Sequence, residues 1–188
     1  LLIWLPILAG LICFIAKKNN SAKNIALLFS LLILAVSVSS LFYTGNEKYL
    51  NWNNSNWIWM KYIGANYFVG LDGTGRLLTL LTAVSFPLIF LATAKNKYAN
   101  ESSFYGLMML AQAGLMGVFC AYDALAFYFF WELALIPVYF LCSRWGGERR
   151  IQATFKFFVY TFVGSLLMLV GIIYIYLHTD AKTYGDGV

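Results

Sequence analysis

Phe127-Tyr-Phe-Phe-Trp-Glu-Leu-Ala-Leu-Ile-Pro-Val-Tyr-Phe140 is an apolar run with one acid near its centre. It lies inside a longer stretch, residues 124–143, and about 20 mostly apolar residues are what a helix needs to cross a bilayer core. Glu132 is the ninth residue of that stretch, close to the midplane. An acid there costs roughly 2.5–3.5 kcal/mol on insertion scales. A charge at that depth is retained where something polar meets it, which makes Glu132 a candidate functional residue. Pro137 follows five residues later. Its ring cannot donate to the Leu133 carbonyl, so the helix is expected to kink or open just past Glu132. Tyr128 and Tyr139 fall on the same helical face as the glutamate.

The rest of the chain has the same character. Of its 188 residues 61% are hydrophobic and 11% charged, with a mean hydropathy of +0.72. A soluble domain carries about a quarter charged residues, so the composition specifies an integral membrane protein. Six candidate spans appear, at roughly 1–16, 25–44, 71–94, 104–122, 124–143 and 152–178. Strands are not expected, because the apolar runs do not alternate with period two. The class is all-α: a polytopic transmembrane helix bundle forming one domain over residues 1–188, without repeat or linker. The chain begins at Leu1, already apolar, and ends in loop-like Tyr184-Gly-Asp-Gly-Val188, so it reads as a fragment of a longer protein. No basic region or small-residue cleavage site frames residues 1–16 as a signal peptide.

Charge sets the expected orientation. Lys17, Lys18, Lys23, Lys95, Lys97, Arg144, Arg149 and Arg150 lie in alternate loops, and Lys48, Lys61 and Lys182 in the opposite ones. The richer set is expected on the cytoplasmic side, with both chain ends outside. The net charge of +5 is spread over short loops rather than gathered in one stripe, which argues against nucleic acid as a partner. Residues 45–70 are polar yet rich in rings, among them Tyr49, Trp52, Trp57, Trp59, Tyr62 and Tyr67. Such rings favour the headgroup zone, so the segment is expected along the outer membrane surface.

Only Tyr122-Asp123 separates the fourth and fifth spans, which predicts a tight antiparallel hairpin. Ala113, Gly117 and Ala121 recur every four residues, a small-residue stripe that lets a neighbouring helix approach. Cys13, Cys120 and Cys142 show no CxxC spacing and His178 is the single histidine, so no metal or iron–sulfur site is expected. Gly70-Leu-Asp-Gly-Thr-Gly-Arg76 lacks the phosphate-loop pattern and a preceding strand. Asp72 instead suits the positive end of the third helix.

Lys156 is a second intramembrane charge, early in the sixth span. Its amine either snorkels to the headgroups or faces a polar interior with Tyr160, Thr161 and Ser165. Counting back from the cytoplasmic loop at 1.5 Å per residue leaves an axial gap of about 10 Å between Glu132 and Lys156. Coupling is therefore expected through water or a third group, not a direct ion pair. The residues alone fit an ion-translocating subunit, in which Glu132 gains and loses a proton. They also fit a structural membrane protein, in which it only joins helices.

Three motifs sharpen the choice: Phe130-Phe-Trp-Glu-Leu-Ala-Leu-Ile-Pro-Val-Tyr-Phe140, Arg144-Trp-Gly-Gly-Glu-Arg-Arg-Ile151, and Ala153-Thr-Phe-Lys-Phe-Phe-Val-Tyr-Thr161 followed by Gly164-Ser-Leu-Leu-Met-Leu169. Together with Phe68-Val-Gly-Leu-Asp-Gly73 they closely resemble the M-type subunits of bacterial NADH:quinone oxidoreductase (complex I), counterparts of mitochondrial NADH dehydrogenase subunit 4. L- and N-type subunits and Mrp-type antiporters are similar but differ around the glutamate. The resemblance implies an antiporter-like subunit of about fourteen helices in two inverted repeats, of which this chain holds about six. It implies a proton-translocating, multi-pass subunit of the bacterial cytoplasmic membrane, driven by NADH oxidation and quinone reduction elsewhere in the complex. In the family the glutamate matching Glu132 is paired with a lysine of the seventh helix, which this chain lacks, and Lys156 matches the lysine opening the KFF motif. NADH, flavin (FMN), iron–sulfur clusters and quinone are expected on other subunits, and the expected partners are other membrane-arm subunits and the lipid bilayer. An Mrp-type cation/proton antiporter subunit and a non-pumping structural subunit are the alternatives.

Overall fold

The computed structural model describes residues 1–16, 19–42, 55–60 and 65–178. Lys17, Lys18, Lys48, Lys61 and Lys182, the rings of Tyr49, Trp52 and Tyr62, and the end at Tyr184–Val188 lie outside the described residues. In chain order the elements are α1 (Trp4–Ile15), α2 (Asn19–Leu41), β1 (Ser55–Met60), β2 (Ala65–Val69), α3 (Gly73–Thr93), α4 (Glu101–Cys120), α5 (Ala124–Trp145) and α6 (Arg150–His178). Five of the helices, α2 to α6, are long and apolar enough to cross a membrane. The chain is a multi-pass membrane protein built as a helix bundle.

The helix starts follow from local chemistry. The Asp72 carboxylate accepts the Gly75 amide at 2.5 Å, and that of Asp123 accepts the Leu125 and Ala126 amides at 2.8 and 3.0 Å. Each satisfies donors that the first turn leaves open. Asn100 precedes α4 with φ of +60°, a conformation that asparagine tolerates better than most residues. Proline interrupts neither α3 at Pro87 nor α5 at Pro137; both helices run through it.

α4 is the hub. It packs against α1, α2, α3 and α5, and 67% of its span is buried, against 6% for α6. Glycines make the closest approaches. A Cβ on Gly114 would stand 2.7 Å from Cα of Ala134, and one on Gly117 would enter the Phe130 ring. Gly10 and Gly106 likewise bring α1 onto α4. The predicted α4–α5 hairpin is present, with its small-residue contact shifted: Gly114 and Gly117 make it, whereas Ala121 lies past the helix end.

The strands correct the sequence-based expectation. β1 and β2 form an antiparallel ladder with Ser55 opposite Val69 and Trp57 opposite Tyr67, and a register irregularity between Ile58 and Met60. Rings and β-branched residues favour strands in general, but the deciding interaction is tertiary. The Gly70 amide donates to the Cys120 carbonyl at 2.8 Å and the Tyr122 amide to that of Phe68 at 2.9 Å. These two bonds stitch the hairpin to the turn that starts α5. β2 also means that a strand does precede the glycine-rich stretch before α3. It belongs to a two-stranded hairpin, and the Asp72 carboxylate already occupies an amide of the α3 N-terminus, so a phosphate gains no cradle there.

At the opposite end, side chains tie the loops together. The Lys23 amine donates to the Ala94 carbonyl at 2.6 Å, Ser102 to that of Ala16 at 2.5 Å and the Trp145 indole to that of Ala99 at 2.9 Å. Tyr98 stacks on Phe104 at 4.1 Å. The two ends of the bundle are thus each locked by specific polar contacts, leaving its middle to apolar packing and a few buried polar groups.

Candidate functional site

α5 carries two faces. Ala126, Phe130, Ala134 and Pro137 are its buried residues, spaced by four, four and three, and they point at α4. Tyr128, Glu132 and Tyr139 lie about 160° to 200° around the helix from Phe130, toward α6, where the Tyr139 ring meets that of Phe158 at 5.2 Å. Glu132 is half-buried, and its Oε1 is buried without a hydrogen-bond partner. An unsatisfied buried oxygen of this kind costs on the order of 1–3 kcal/mol. Pro137 adds a carbonyl, that of Leu133, which has lost its helical donor. Glu132 and Leu133 are adjacent in sequence.

Lys156 lies elsewhere. It is exposed, on the face of α6 that also carries Tyr160, 78% exposed. Thr154, Phe158, Thr161 and Ser165 form the other face, where Thr154 and Ser165 are the buried residues of α6. The second sequence-based option for Lys156, a shared polar interior with Tyr160, Thr161 and Ser165, is therefore divided by the helix. Lys156 and Tyr160 point one way, and Thr161 and Ser165 the other. No ion pair joins Lys156 to Glu132. The Tyr139–Phe158 contact fixes a common depth, from which Glu132 lies seven residues one way and Lys156 two residues the other, an offset of about 13 Å.

Gln112 escaped the sequence reading. It is fully buried at mid-helix in α4, and neither its Nε2 nor its Oε1 has a partner. The signal was available: a lone carboxamide in the apolar run Phe104–Cys120. Counted from the Tyr122-Asp123 turn, it stands at nearly the same depth as Glu132. Thr79, Thr82, Ser30 and Ser40 are buried too, but their hydroxyls are satisfied by carbonyls of their own helices.

Outside the spans, Tyr122 sits at the turn near Asp72 and Arg76. Burial and then the Asp72 charge push its phenol above the usual range, and Arg76 pulls it back. Cys13 and Cys120 are buried and Cys142 exposed, all as free thiols. Among the described residues no group of three or more His, Cys, Asp or Glu side chains is placed to hold a metal.

Known proteins resemble this chain in sequence and fold. Residues 121–184 match a family described as NADH:quinone oxidoreductase/Mrp antiporter, TM. F(420)H(2) dehydrogenase subunit M of Methanosarcina mazei is 38% identical over 92% of this chain and 35% of its own length. NADH-quinone oxidoreductase subunit M of Rhodobacter capsulatus is 32% identical over 93% of this chain and 35% of its own. Among solved structures, respiratory complex I from Thermus thermophilus with bound NADH contains a chain that superposes with a TM-score of 0.78 at 28% identity, covering 92% of this chain and 34% of that one. An archaeal membrane-bound sulfane sulfur reductase superposes at 0.77 with 23% identity and shares the fold. The chain thus spans about a third of the length of the curated relatives it matches.

Proposed function

This chain is a relative, along nearly all of its length, of the M- and chain 4-type antiporter-like subunits, and on that premise we propose that it serves as a proton-translocating membrane-arm subunit of a respiratory NADH:quinone oxidoreductase. The observation that carries this reading is Glu132: an acid at mid-span on α5, turned toward α6, with an unsatisfied buried oxygen. In this reading Glu132 takes up and releases a proton as its surroundings change. Lys156, on the outward face of α6, acts toward parts of the complex other than α5. NADH, flavin, iron–sulfur clusters and quinone are held by other subunits, so redox turnover reaches this chain as conformational or electrostatic change. Its neighbours are other antiporter-like subunits of the L and N type. The setting is a bacterial cytoplasmic membrane, with Lys95, Lys97, Arg144, Arg149 and Arg150 on the cytoplasmic side.

A second reading keeps this role and changes the electron donor. The relative of 38% identity is named for F(420)H(2) rather than NADH, and nothing in α5 or α6 would need to differ for a complex fed by that donor.

Glu132→Gln in the full-length chain within the complete complex tests the role. Assembly and oxidation of the donor with a soluble acceptor should persist while coupled proton translocation is impaired. If the subunit instead disappears from the membrane, the acid is there to hold helices together and the pumping role is lost.

A further inference from the structure

The α5–α6 seam has a definite register. Tyr139 and Phe158 share a depth, their ring centroids 5.2 Å apart. The helices run antiparallel from the short connection at 146–149. Seven residues farther from that connection, α5 reaches Glu132 and α6 reaches Ser165. Seven residues fall only about 20° short of two full turns, so both remain on the seam, about 10 Å beyond the aromatic contact.

Burial agrees with this placement of Ser165 on the seam. α6 is exposed along most of its length, yet Ser165 is only 4% exposed, and α5 is the element against which α6 packs. Ser165 therefore lies on the face of α6 turned to α5, and the aromatic register sets it at Glu132's depth. The chemistry is complementary. The Ser165 hydroxyl donates to the Phe162 carbonyl of its own helix at 2.8 Å, a carbonyl that already serves the helix ladder. Glu132 Oε1 is a buried acceptor with no donor. The seam on α6 also carries Thr154, Phe158, Thr161, Met168 and Ile172, and on α5 Tyr128, Leu135 and Tyr139; Lys156 lies on the other side of α6. No charge of α6 competes for the carboxylate across this interface.

We propose that Ser165 is a positioning residue for Glu132, its hydroxyl rotating from the Phe162 carbonyl to Oε1 when the carboxyl is ionised and returning when it is protonated. A hydrogen bond to an ionised acceptor is about twice as strong as one between neutral groups, so the charge state of Glu132 sets which acceptor wins. The hydroxyl keeps its own proton throughout, and the proton carried by Glu132 arrives and leaves by another route. The consequence for proton movement rests on the reading of Glu132 given above; the contact itself does not.

Infrared spectra of the complete complex, recorded through a pH titration, test the contact. The carboxylate stretch of Glu132 is the band absent from Glu132→Gln. Ser165→Ala removes the hydroxyl and should shift that band, and Ser165→Cys, a weaker donor of similar size, should shift it less. Both substitutions keep a small side chain, and alanine is the stronger helix former. A band at the wild-type position in both variants would overturn the contact. Proton translocation by the same preparations separates the two ideas. If Glu132→Gln pumps normally while Ser165→Ala still shifts the band, the contact stands and the role of Glu132 falls.

Discussion

Glu132 and Lys156 are the two charges that the sequence places inside the spans that close the chain, and the structure gives them different settings. Glu132 has an oxygen shut away from solvent with no donor, on the face of α5 turned to α6. Lys156 points away from that seam. If Lys156 belongs to the relay, Lys156→Ala should reduce proton translocation in the complete complex without lowering subunit content. Unchanged translocation would mean that the amine only reaches for headgroups. The sequence could suggest both residues, because a charge in an apolar run is visible at once. It could not say which way Lys156 faces, since Tyr160 and Thr161 put polar atoms on both sides of α6. Only the Tyr139–Phe158 contact and the burial of Ser165 decide that.

At the scale of elements, the α4–α5 hairpin is the part most directly written in the chain. One turn, Tyr122-Asp123, leaves the two helices no choice but to pack antiparallel. The contact depends on missing side chains: Gly117 gives its space to the Phe130 ring and Gly114 to the backbone at Ala134. Gly117→Leu should therefore destabilise the subunit by at least about 1–3 kcal/mol, the usual cost of overpacking, seen as a lower unfolding temperature or lost assembly. Asp123→Ala should cost about 1 kcal/mol through the lost N-cap of α5, a smaller drop in the same measurement. The β-hairpin was not legible. Its strands carry too little alternation to stand out, and it is the amides of Gly70 and Tyr122, bonded across the fold, that anchor it. Gln112 was missed for another reason. A neutral carboxamide in an apolar helix does not stand out as a charge does, although burial leaves it just as exposed to the cost of missing partners.

For the molecule as a whole, one end of the bundle holds the β-hairpin and the Tyr122-Asp123 turn, and the other holds the Lys95 and Arg144 loops with their Lys23, Ser102 and Trp145 ties. In the orientation proposed above, the second end, richer in basic residues, faces the cytoplasm. In a chain stripped of its native cysteines, Gly147→Cys should react with an impermeant thiol reagent only from the cytoplasmic side, and Tyr122→Cys only from the outer side; the reverse would invert the orientation. Between these ends, α6 leaves a broad face exposed. Across that span the central claim concerns one carboxyl group. It is tested most directly by the number of protons moved per electron in sealed vesicles containing the complete complex with Glu132→Gln. A ratio clearly below that of the wild type, at unchanged subunit content, is the result predicted here, and a wild-type ratio would contradict it.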